Sequence, residues 1–263
     1  MLRRVAREGK DVIATQDAAR LNTPDWLWLR WCETFGEDGA RAIADAHGRQ
    51  PPVDIVRKTP ESLAPEGKHL FGSVLRLADV SGIDALPGFR AKANGGCRTP
   101  PRPLPAGLLG DVRGARVIDL CAAPGGKTMQ LAAMGATVTA VEARGGAPRA
   151  RARESRAHRT GCGRWSRPTC ATTGPTRPAP FVLLDAPCTA TGTIRRHPEL
   201  PWIKSASDVT LCEQAAGELL DAAAGMVAPG GVLVFAVCSL EPEEGVGQAE
   251  NFLAATCASR AIP

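Results

Sequence analysis

An α/β fold with a parallel sheet is predicted for this chain of 263 residues by three observations. The apolar run Val117–Leu120 gives way to a small-residue loop, Cys121–Gly126, and then to a helical pattern opened by Lys127 and Thr128. A β-branched run, Val138–Val141, follows the helix-closing Gly135 and ends in an acid, Glu142. Two further strand-like runs, Phe181–Leu184 and Val232–Val237, lead into loops that each hold a cysteine, Cys188 and Cys238. Strand, tight loop, helix, strand and acid make the first half of a nucleotide-binding α/β domain. In that arrangement the loop and the helix N-terminus approach a ligand, and the acid is placed to hold a ribose hydroxyl pair.

The elements in order begin with a helical stretch over residues 1–50. Asn22-Thr23-Pro24 is a helix-start signal, with Thr23 as N-cap and Pro24 at the first helical position. Trp26, Leu27, Leu29, Trp31 and Cys32 then form a dense apolar pattern, read as helix–helix core in preference to a base-stacking face. A short helix is expected over Glu37–His47 and a strand over Val53–Val56. His69–Leu77 and the turn at Ser81-Gly82 suggest a small α/β unit ending near Pro87-Gly88. Beyond the first strand–helix–strand unit, Met129, Leu131 and Met134 are apolar positions of its helix. Thr189–Pro198 reads as a polar loop and Leu211–Val227 as a helix with apolar Leu219, Leu220, Ala223 and Met226. Pro229-Gly230-Gly231 turns into the last strand, and Glu241-Pro242-Glu243-Glu244 starts a closing helix through Leu253.

Composition narrows the function classes. The 44% apolar content suits a globular chain, and no run approaches the ~18 apolar residues of a membrane span. Nine cysteines without a CxxC pair do not make a zinc site or a disulfide framework, so no metal is expected. No secretion signal is evident, which places the thiols, reduced, in a cytoplasm. The net charge of +5 invites a nucleic-acid reading, but nine arginines against the single acid Glu154 lie between Ala143 and Pro180 and supply all of it. A Walker loop is excluded because Cys121 stands where its first glycine is required, and Ala122-Ala123-Pro124-Gly125 breaks the dinucleotide fingerprint.

Chemistry concentrates at three strand ends: the loop after Leu120, the pair Asp185 and Cys188, and Cys238. In an open α/β sheet, carboxyl ends share one crevice. A thiolate there can add to an electrophilic carbon while an acid hydrogen-bonds the ring under attack. Cys32, Cys121 and Cys212 are expected to be inert packing.

DLCAAPGGKT, LLDAPCTATGTIRRHPEL and VCSLEPEEG resemble the three signature blocks of RNA cytosine-5 methyltransferases of the Sun (RsmB) type. TPDWLWLRWCETFGEDGARAIADAH resembles the segment that precedes the catalytic domain in bacterial members acting on small-subunit ribosomal RNA. The resemblance implies a Rossmann-like methyltransferase sheet over 88–263, behind an N-terminal helical and small α/β RNA-docking region over 1–87 that is short for the family. It implies S-adenosylmethionine held by Cys121, Ala122, Ala123, Pro124, Gly125, Gly126 and Lys127, with Glu142 on the ribose. Asp185 would face the cofactor and the target cytosine, Cys238 would be the nucleophile that adds to C6, and Cys188 would assist elimination. Arg195, Arg196 and His197 would contact RNA phosphate or base. The partner implied is ribosomal RNA, and the protein is expected to be a monomer free of membrane. A non-catalytic or decayed RNA-binding relative is the alternative.

Two segments depart from the pattern. Residues 91–105 lack the family's aromatic block, and 143–180 contain no Val, Ile, Leu, Met or Phe and hence no third strand with its adenine-binding acid. Read two bases out of frame, Ala93–Pro100 can encode Glu-Trp-Trp-Val-Gln-Asp-Ala, and Trp165–Thr172 can encode Val-Ala-Ala-Asp-Val-Arg-Asp. Both segments are therefore read as out-of-frame translations, with the tail Thr256–Pro263 a third case. The expected consequences are a disrupted sheet and weak cofactor binding.

Overall fold

The structure, a computed structural model, describes residues 9, 14–56, 67–71, 74–77, 104–141 and 177–260. Glu142 and residues 91–103 and 143–176 lie outside the described residues, as does the expected turn at Ser81-Gly82. The chain divides into two compact units. One comprises Pro52–Pro187 and Ala216–Val237, the other Met1–Pro51, Cys188–Ala215 and Cys238–Pro263.

The first unit holds a four-stranded parallel sheet of order β5-β4-β6-β7, from β4 (Arg116–Leu120), β5 (Thr137–Val141), β6 (Ala179–Asp185) and β7 (Val227–Ala236). The strand–loop–helix–strand order read from the sequence is therefore present, and the Rossmann-like α/β class holds. The third strand expected to be missing falls on 143–176, outside the described residues, and the three pairings join the described strands directly. β6 starts at Ala179, two residues before the apolar run, because Ala179 N–H bonds Met226 O ahead of the main ladder. β7 likewise begins at Val227 and runs through the predicted turn, where Gly230 adopts φ 75° and the pairing slips between Ala179 and Phe181.

Val182, Leu183 and Leu184 are fully buried, as a strand covered on both faces must be. Leu183 packs in a core with Val117, Val138, Val112, Leu109, which directly follows helix α3 (Leu104–Leu108), and Leu131 from helix α4 (Gly126–Ala133). Met129 on α4 is 47% exposed, against expectation, because at 3.6 residues per turn it points away from the face that Leu131 buries. The same unit holds an antiparallel sheet of order β1-β3-β2, from β1 (Val53–Val56), β2 (Gly67–Phe71) and β3 (Val74–Leu77). The α/β unit expected here is thus all β among its described residues, with Arg76 on Asp54 as a two-bond ion pair.

In the other unit, α1 (Ala18–Leu21) precedes α2 (Asp25–His47), in which the two helices expected follow one another across a kink. Gly36 marks their junction with φ 74° and ψ 169°, a break that glycine accommodates without a Cβ penalty. The start differs by one residue: Pro24 is the N-cap, and the Thr23 hydroxyl donates back to Ala19 O instead of capping. Leu27, Trp28 and Trp31 are buried with Ala40, Ala44 and Ile194. Leu29, expected in that core, is 66% exposed because it falls on the opposite side of α2. In chain order α5 (Leu200–Ile203) and α6 (Ala206–Ala224) come next, and the closing helix expected from the sequence separates into a 3₁₀ turn, Pro242–Glu244, and α7 (Val246–Arg260).

Leu183→Ala is expected to lower the unfolding free energy by about 2–5 kcal/mol through the cavity it opens, measurable as an earlier urea midpoint in circular dichroism.

Candidate functional site

One group of candidate residues belongs to the sheet unit. At the carboxyl end of β4 the chain turns through Cys121, whose φ of 58° is left-handed, and through Gly125 at φ 95°. A non-glycine residue in that region is strained, and such strain clusters where a loop is shaped for a ligand. The turn is held by Ala122 N–H on Val141 O and by Gly125 N–H on Ala122 O. Inside it, the Thr128 hydroxyl on the first turn of α4 donates to the buried Asp119 carboxylate of β4. This bond fixes the helix N-terminus above the strand end.

The first-turn N–H groups of α4 have no acceptor within the helix and carry its positive pole. Lys127, on that turn, is ion-paired with Asp185 at the end of β6. Backbone donors, an ammonium group and a wall of small residues suit a ligand with a carboxylate at one end. The residues Cys121 to Lys127 and Asp185, singled out in the sequence, thus come together in one unit. S-adenosylmethionine, an amino acid carrying a nucleoside, fits this donor set through its carboxylate.

A separate group of candidate residues belongs to the other unit, which the chain enters at Cys188 and again at Cys238. The two sulfurs lie 3.4 Å apart, within thiol hydrogen-bonding distance. The Cys238 N–H donates to Cys188 Sγ at 3.3 Å. The neighbouring Cys238 sulfur, followed by burial, pushes the Cys188 thiol far above the usual range. Either sulfur can donate in this contact, and the raised Cys188 pKa means that Cys188 holds its proton when its neighbour ionises. That polarity is what an attacking sulfur with a proton-holding neighbour requires.

Around the thiols runs a network that the sequence reading missed. Glu241, 2% exposed, accepts from Arg30 Nε at 2.6 Å, Trp31 Nε1 at 3.1 Å and the Thr191 hydroxyl at 3.2 Å. Glu244, fully buried, accepts the Thr189 N–H and hydroxyl. Ser239 Oγ lies 3.2 Å from Thr189 Oγ1 and 3.1 Å from Thr191 Oγ1. Burial lowers the Arg30 pKa, but the bonds to Glu241 and Glu243 outweigh it and hold the guanidinium above its usual value. The signal available in the sequence was the crowding of hydroxyls and acids beside the two cysteines.

The three residues expected to meet RNA differ in their surroundings. Arg195 directs Nε to Arg49 O at 2.8 Å and a terminal nitrogen to Gln50 O at 2.6 Å, just past the end of α2. His197 is exposed and sits 3.4 Å from Glu199, and Arg196 is exposed. Cys212, assigned to inert packing, is half-buried, and burial followed by the charge of Glu244 raises its pKa to about 11. Alkylation of Cys212 by iodoacetamide should therefore be slow at neutral pH and rise about tenfold per pH unit up to about pH 10. Peptide mass spectrometry across that range checks it.

Residues 106–263 match the family described as 16S rRNA methyltransferase RsmB/F. The ribosomal RNA small subunit methyltransferases B of Cronobacter sakazakii and Shigella sonnei are each 33% identical to the chain, over 97% of its length. The chain spans 64% of the length of each of these relatives. A methyltransferase homolog protein from Pyrococcus horikoshii superposes with a TM-score of 0.69 at 24% identity, covering 90% of this chain and 81% of that one. The structure of NSun6 from the same organism, solved with SFG, superposes at 0.60 with 18% identity, covering 88% and 87%.

Proposed function

Because the chain belongs to the 16S rRNA methyltransferase RsmB/F family, we propose that it methylates C5 of a cytosine in small-subunit ribosomal RNA through a covalent Cys238 adduct. The observation that carries this reading is the 3.4 Å contact of two thiols, each entering a loop that follows one of two neighbouring parallel strands. SFG, with which the NSun6 structure was solved, is an analogue of S-adenosylmethionine, and this supports the same cofactor here.

S-adenosylmethionine, when bound, supplies a methyl group on a positively charged sulfur. The chain's own residues do the rest. The first-turn N–H groups of Gly126 and Lys127, at the end of the Cys121–Lys127 loop, hold the amino-acid end of the cofactor, and Glu142 holds the ribose. The Cys238 thiolate forms a bond to C6 of the base, and the C5–C6 double-bond pair moves to C5, where it becomes nucleophilic. Asp185, its charge balanced by Lys127, hydrogen-bonds the ring as that electron density develops. After the methyl group has joined C5, the C5 proton passes to water, and as its bonding pair re-forms the C5–C6 double bond the C6–sulfur bond breaks, its electron pair leaving on Cys238. Cys188 assists this elimination. The target base must leave its stack to be reached, and exposed Arg196 and His197 are placed for phosphate contacts. The protein acts as a cytoplasmic monomer.

Cys238→Ala is expected to abolish both methyl transfer and covalent adduct, whereas Cys188→Ala accumulates a protein–RNA adduct that survives denaturing electrophoresis. Adduct formation by Cys238→Ala would reassign the nucleophile.

The frame reading has a separate test in calorimetry with S-adenosylmethionine. Weak binding by this chain, with at least about tenfold tighter binding when 91–105 and 143–180 are re-encoded in the alternative frame, would mark this chain as a damaged enzyme. Equal affinity would show that the two segments are tolerated as they stand.

A further inference from the structure

The two cysteines are registered to each other by the residues that follow them. Thr189 follows Cys188, Ser239 follows Cys238, and their hydroxyl oxygens lie 3.2 Å apart. Cys238 is also gripped through its backbone: its N–H donates to Cys188 Sγ, and its carbonyl accepts Gly192 N–H at 3.1 Å. The anchor of this arrangement is Glu244. One carboxylate oxygen accepts the Thr189 N–H and the other its hydroxyl, both at 2.7 Å.

The Thr189 hydroxyl proton is committed to Glu244, so in its contact with Ser239 the Thr189 oxygen accepts; the single Ser239 hydroxyl proton is shared between Thr189 Oγ1 at 3.2 Å and Thr191 Oγ1 at 3.1 Å. Ser239 Oγ in turn accepts Glu241 N–H at 3.0 Å, and Thr191 Oγ1 accepts Leu240 N–H at 2.9 Å. Glu244 is wholly buried, and its partners are Thr189 and the Cys212 thiol in place of a cation. A carboxylate in that setting carries a desolvation penalty that a neutral residue avoids. What it alone supplies is two acceptors, aimed at the amide and the hydroxyl of one residue.

We propose that Glu244 is a positioning residue for the thiol pair. By clamping Thr189 it fixes, through the Thr189–Ser239 contact, the approach of the Cys188 and Cys238 sulfurs. The inference rests on the proposed function only in naming Cys238 as the nucleophile.

The test is iodoacetamide modification of the reduced full chain, followed cysteine by cysteine with peptide mass spectrometry from about pH 6 to 9. The wild type should modify Cys238 at least about tenfold faster than Cys188, one pKa unit of difference in effect. Thr189→Val should reduce that ratio by about tenfold and move the Cys238 profile to higher pH, and Thr189→Ser should retain it. Ser239→Ala should lose the ratio equally while leaving both Glu244 bonds to Thr189 in place, so a Thr189→Val protein that fails to fold does not leave the matter open. Unchanged selectivity in a folded Thr189→Val protein or in Ser239→Ala overturns the proposal, as does a wild type without selectivity. Neither RNA nor cofactor is present, so the result stands apart from any failure of methyl transfer.

Discussion

The pairing of β6 with β4 on one side and β7 on the other brings Leu120 level with Leu184, and Asp185 level with Ala236. Parallel strands in that register end together, and the loops that follow them inherit a common edge of the sheet. The loop at Cys121, the Asp185 carboxylate and the last residues before Cys238 all take their positions from these backbone ladders. Burial makes the register hard to change. Sliding β6 by one residue would reverse the facing of Val182, Leu183 and Leu184 and misplace the Asp185 carboxylate opposite Lys127.

The unit containing the thiols is organised by a different force. Its aliphatic and aromatic core around Leu27, Trp28 and Trp31 reaches the functional loops through polar bonds, chiefly Trp31 and Arg30 on Glu241. Buried carboxylates are expensive unless each acceptor site is filled, and here hydroxyls, amides, an indole and a guanidinium fill them. The outcome is a pair of loops with few conformational choices. Such rigidity suits reacting groups that must hold a fixed distance through several chemical steps.

Period and punctuation made the sheet unit readable in advance. Val117–Leu120, Gly135 and Val138–Val141 carry their strand and turn signals locally, and the structure places each within a residue or two. The signature blocks pointed to Cys188, Cys238 and Asp185 for the same reason, since each lies beside a strand end in the sequence. What could not be read was decided at long range. Thr189 and Glu244 are 55 residues apart, and an acid following Glu241-Pro242 reads as a solvated helix start until its partner is known. Leu29 and Met129 misled because density of apolar residues was read without phase: on a helix, a neighbour two positions away faces elsewhere. Arg195 looked like a ligand-binding cation, and its structural partners are main-chain carbonyls 145 and 146 residues away.

β4 and β6 are neighbours in the sheet, yet a long stretch of chain separates Leu120 from Ala179. The entropy of closing a connection grows only with the logarithm of its length. Doubling a connection adds about 0.6 kcal/mol, less than the loss of one well-buried side chain. The register that brings Leu120 level with Leu184 therefore tolerates wide variation in how much chain lies between β4 and β6.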